Sequence, residues 1–83
     1  MSTDYYLFSP SMKKAVMVGS NGMSGPRSWP VEYGGREFIS WAIENFVDDV
    51  QLINEHKLGA FIELNGEVDN ITKYDQAEDR QHT

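Results

Sequence analysis

A chain of 83 residues with a net charge of −6 and no cysteine is confined to one small domain whose core rests on packing alone, without disulfides or thiolate metal sites. No run approaches the roughly 18 apolar residues of a membrane span, and the opening MSTDYYLFSP lacks the basic segment, apolar core and cleavage site of a secretory signal, so a soluble cytoplasmic protein is expected. The charge is uneven: residues 1–31 sum to +2, with Asp4 against Lys13, Lys14 and Arg27, whereas residues 32–79 set twelve acids against Arg36, Lys57 and Lys73, which is −9. Affinity for phosphate backbones comes mainly from Lys and Arg, so direct nucleic-acid binding is disfavoured and a basic partner is favoured.

DYYLFS at 4–9 and KKAVMVGS at 13–20, separated by the turn residues Pro10 and Ser11, predict a β-hairpin. Residues 19–30, GSNGMSGPRSWP, are turn formers and breakers, with Trp29 held extended by the following Pro30. VEY at 31–33 suits a short edge strand. Beyond Gly34-Gly35, apolar residues recur at three and four through 36–57, and the run ends in Lys57, Leu58 and Gly59, a helix stop signal. On a helical wheel Ile39, Ala42, Ile43, Phe46, Val50 and Ile53 share about a 100° arc, the expected core face. Such a helix spans about 33 Å against about 20 Å for a six-residue strand. It therefore overhangs the sheet or breaks, and the expected break is at Val47–Asp49, with Asp48 capping the second piece. GAFIELNGEVDNITKYD at 59–75 reads as a second hairpin turning at Asn65-Gly66, with a three-residue loop that aligns Leu64 with Val68. The residues 76–83 read as a frayed, polar tail. The expected architecture is α+β: one domain over 1–75, with two β-hairpins flanking a central helix and an antiparallel sheet carrying the helix on one face.

Candidate chemistry is sparse. His82 lies in the tail, and His56 falls near the end of the expected helix, where an imidazolium meets the dipole favourably. Asp48 and Asp49 point about 100° apart on a helix, and EVDN at 67–70 falls on a strand, so neither makes a metal site. VGSNGMSGP at 18–26 has the glycines of a phosphate cradle but not its lysine or its immediate helix; Pro26 and Arg27 follow Gly25, and the helix waits until about Gly35. A conformational role is expected for that loop. No catalytic residue, metal or cofactor is expected.

The same wheel places Glu37, Glu44, Asp48 and Glu55 within about 20° of one line opposite the core stripe, a carboxylate ridge with no interleaved lysine. Trp41 and Leu52 lie about 40 to 60° from that ridge. Unless the 19–33 segment folds over them, they stand exposed among charges, as interface anchors do. These six residues form the expected partner-binding face. The function they imply is a non-enzymatic acidic protein-binding module, a small inhibitor docking on the basic, nucleic-acid-binding surface of another protein. By analogy of size and charge, phage anti-defence proteins (such as anti-CRISPR proteins) and toxin-immunity proteins act in this way. The alternative is a structural or regulatory homo-oligomer that pairs through a hairpin edge or buries Trp41.

Overall fold

The aromatic and valine-rich runs near the N-terminus do pair, and they form the middle of the sheet. The computed structural model describes residues 2–72, in the order β1 (Thr3–Ser9), β2 (Lys14–Gly22), β3 (Gly25–Ser28), a 3-10 turn (Val31–Tyr33), α1 (Gly35–Glu44), β4 (Gln51–Asn54), α2 (Glu55–Asn65) and β5 (Asp69–Asn70). The fold is α+β. Strands run β3-β2-β1-β4, all antiparallel, and β5 adds a short parallel pairing to β2 at Lys14 and Ala15. The expected polar tail at 76–83, with His82, lies outside the described residues.

Alternation along β2 sets the layers. Ala15 and Val16 are adjacent, point to opposite faces of the sheet, and are both fully buried. On the Ala15 face, Phe8, Ile53 and Tyr6 meet Leu58 and Phe61 of α2, with the Phe8 and Phe61 rings edge to face at 4.8 Å. On the Val16 face lies α1: the Lys14 ammonium, two residues from Val16 and on the same side, sits 5.3 Å over the Trp41 ring, and Phe38 and Ala42 are buried there. The sheet therefore carries the helix expected over one face, and α2 covers the other.

The expected break after residue 46 exists but is larger than a kink. Helix α1 ends at Glu44 and closes on itself: Val47 N–H donates to the Ala42 carbonyl at 2.8 Å, Phe46 N–H to that of Ile43, and the Asn45 side-chain amide to that of Trp41. This is the Schellman arrangement, with Phe46 in the left-handed position at φ 56°. The chain then crosses to the free side of β1 and pairs there as β4, Leu7 opposite Leu52 and Tyr6 opposite Ile53. Asp48 caps nothing; Asn54 does, accepting the Lys57 N–H at 2.9 Å. His56 and Lys57 accordingly stand in the first turn of α2, and Gly59 lies inside that helix. A helical period of 3.6 ran through 36–57 only because a single buried residue, Ile53, represents the strand.

Two further expectations change. The stretch 59–65 is helical, because Leu58 and Phe61 are wanted three apart on one face, over Phe8; Asn65-Gly66 ends that helix, with Gly66 at φ 93°. An Asn-Gly pair suits a helix terminus as well as a hairpin turn, since both need a left-handed residue. Residues 19–28 are also more regular than expected: β2 continues to Gly22, a turn at Met23-Ser24 reverses the chain, and β3 pairs back. Residue 19 must be glycine, because a Cβ there would lie 2.3 Å from the Arg27 carbonyl oxygen. The 31–33 segment is a 3-10 turn and not a strand.

The crossing is pinned by one carboxylate. Asp49 accepts Ser9 O–H at 2.5 Å, Ser11 N–H at 2.9 Å and Ser11 O–H at 3.0 Å, which fastens the α1–β4 connection to the β1–β2 turn. The Ser9 bond first, then those of Ser11, hold the Asp49 carboxyl below the ordinary carboxylate range. A lowered folded-state pKa gives stability present above the unfolded value and lost as pH falls through the folded one. Asp49→Asn should therefore lower Tm at pH 7, with the difference from wild type closing in acid, measured by thermal melts from pH 7 to pH 2. For the helix face, Phe38→Ala should cost about 3–5 kcal/mol and Ile43→Ala less than about 0.5 kcal/mol in urea titrations; equal losses would show that the buried line of α1 is misplaced.

Candidate functional site

The line that α1 buries is Gly35, Phe38 and Ala42. The expected core residues Ile39 and Ile43 lie about 70° and 110° round from it, and Ile43 is 70 % exposed. Sequence periodicity alone could not choose between these stripes, since both carry apolar residues at helical spacing; the structure buries Phe38 completely and leaves Ile39 and Ile43 exposed. Continuing around the helix, the exposed arc runs from Ile39 and Ile43 through Arg36, Ser40, Glu44 and Glu37 to Trp41 on the other flank. Phe46, at the helix end, is 94 % exposed. The arc thus carries Glu37 and Glu44 beside the single cation Arg36, with apolar side chains on both sides.

Of the expected partner-binding residues, the structure keeps Glu37, Trp41 and Glu44 together on α1 and disperses the others. Trp41 is 38 % exposed, one ring face taken by the Lys14 ammonium, whose other contact is an ion pair with Asp69 at 2.7 Å. Asp48 is exposed in the connection after the helix. Leu52 stands on β4, 63 % exposed, and Glu55 opens α2, where its carboxylate accepts the Asp4 N–H at 2.6 Å. The four-carboxylate ridge does not exist as one line, because the helix that would align it is two helices. Residues missed from the sequence are Ile39, Ile43 and Phe46: their apolar spacing was visible, but it was assigned to the core.

The glycine hairpin borders a cleft of about 150 Å³ that Asp4, Ser20, Arg27 and Trp29 also line. Gly22 and Gly25 pair with each other in the β2–β3 ladder, and Asp4 lines the cleft together with its one guanidinium, so the cleft lacks the unopposed positive charge of a phosphate cradle. Burial, and then the neighbouring Glu55, push the Asp4 carboxyl up from its ordinary range. A raised acid pKa destabilises the fold above the folded value and leaves it unaffected below the unfolded one. Asp4→Asn should therefore raise Tm at pH 7 and change it little in strong acid, the opposite sign to Asp49→Asn in the same melts. Among the described residues no three His, Cys, Asp or Glu side chains gather as a metal site, and no helix is long and apolar enough to cross a membrane.

Compared with known proteins, the chain matches no family model, no curated protein and no solved structure.

Proposed function

We propose that this chain is a non-enzymatic protein-binding module that docks the exposed arc of α1 on a basic surface of another protein. Phe46 carries the reading. An aromatic residue in the left-handed region costs about 1–2 kcal/mol relative to glycine, and glycine is what helix ends ordinarily place there. The ring is 94 % exposed, so burial within the domain does not offset that strain. Contact with a second molecule gives the side chain a use that folding does not.

The surroundings suit a protein partner. Ile39, Ile43 and Trp41 offer apolar anchors, which supply most of the affinity at interfaces, while Glu37, Glu44 and Asp48 favour encounter with positive charge. The stretch 31–50, which holds α1 and the connection after it, sets Glu32, Glu37, Glu44, Asp48 and Asp49 against Arg36. Basic protein surfaces are largely nucleic-acid-binding surfaces, so the sharper form of the proposal is an inhibitor that occupies such a site, in the manner of phage anti-defence proteins, anti-CRISPR proteins among them, or of toxin-immunity proteins.

Phe46→Gly separates folding from binding. It should raise stability by about 1 kcal/mol in urea titrations and yet lose the partners that immobilised wild type retains from a lysate of the source cells. Glu44→Lys should weaken the same capture, and raised salt should weaken it for wild type. Equal recovery by wild type, Phe46→Gly and Glu44→Lys would reject the docking face.

A further inference from the structure

The two ends of the sheet are finished differently. At one end β3 carries Pro26, which has no N–H, and Arg27, while β5 covers the rest of the β2 edge at Lys14 and Ala15; charge, proline and a covering segment are the usual ways of protecting an edge. At the other end β4 reads Gln51-Leu52-Ile53-Asn54, uncharged and without proline or glycine, and among the described residues its outer side pairs with no strand. Leu52, on this edge, also forms one wall of a mainly apolar groove of about 250 Å³ with Tyr5, Val18 and Pro26. Carboxylates stand at both ends of the strand, Asp48 and Asp49 before it and Glu55 after it; against them only Lys57 is near in sequence, leaving 48–57 at net −2.

We propose that the β4 edge takes an extended segment of the basic partner as an added strand. This rests on the reading of a basic protein partner and specifies how one part of it is held. Backbone hydrogen bonds along Gln51–Asn54 supply the pairing, and alternate side chains of the guest supply selectivity. A guest apolar residue beside Leu52 extends the wall of the groove, and lysine or arginine at each end of the guest meets Asp48 and Glu55. A second copy of this chain fits less well: in two-fold antiparallel pairing the Asp48-Asp49 end of one β4 faces the Glu55 end of the other, so like charges oppose at both ends. The crossing from Phe46 to Gln51 is five residues, at most about 18 Å of chain, so one partner can reach both the α1 arc and the edge.

The test uses a capped nonapeptide of alternating valine and threonine with two lysines at each end, titrated into the full ¹⁵N-labelled chain. The expected result is that the largest amide shifts and slowed hydrogen exchange fall on Gln51–Asn54. Leu52→Lys, an exposed position, should keep the wild-type fold by circular dichroism and weaken peptide binding at least tenfold, and a glutamate-ended peptide should not bind. Shifts confined to Ile39–Phe46, or no binding at all, would overturn the edge proposal. A dimer in light scattering that Leu52→Lys renders monomeric would overturn it in favour of a second copy. The docking reading is judged separately: partner capture lost in Phe46→Gly but unchanged in Leu52→Lys would retain the α1 surface and reject the edge.

Discussion

Burial of two adjacent residues, Ala15 and Val16, on opposite faces of β2 is the constraint on which the rest of this small domain depends. A sheet wet on one side needs a single helix, and many antiparallel sheets stop there. This one has to be covered twice, by helices of ten and eleven residues, each about 15 Å long. The chain must then pass from one face to the other, and it does so around the β1 side, laying down β4 on the way. That route places the Asp49 clamp, the left-handed Phe46 and the open edge within one short stretch.

Covering both faces also explains why apolar residues are left outside. Helix α1 has two apolar stripes but turns only the Phe38 line inward, and so Ile39 and Ile43 remain in solvent although their spacing is that of a core face. On α2 the same economy operates, with Leu58 and Phe61 turned inward and Leu64 left 84 % exposed. An exposed stripe on a chain this short is a departure from what stability alone would select, and the strained Phe46 beside it is a second one. Where local preferences are set aside together, function is the usual reason.

What the sequence revealed divides by the range of the interactions involved. The first hairpin was legible because Tyr6, Phe8, Ala15 and Val16 lie in local runs joined by a strong turn. Length alone required the 36–57 helix either to overhang or to break, and 47–49 was the expected place for a break. Strand β4 was not, because QLIN has one inward residue and is extended only where β1 offers a free side. The helix at 55–65 was hidden by Asn65-Gly66, a pair that serves two structures equally, and the correct face of α1 was hidden by two stripes of equal apolar weight. Of the candidate site, the placing of Glu37, Trp41 and Glu44 on one helix was legible; the extension of that line to Asp48, Leu52 and Glu55 assumed a helix that the sheet does not permit.

The close approach of β3 to β2 has a consequence for tracing ancestry. With the Arg27 carbonyl oxygen where a Cβ of residue 19 would sit, no side chain can be accepted there unless β3 moves, whatever happens to the surface of the molecule. Interaction surfaces drift quickly, and an acidic strip can be rebuilt from different residues. A distant descendant of this chain is better sought by a glycine at the sixth position of a nine-residue strand, followed by a tight reversal and a short returning strand, than by overall resemblance.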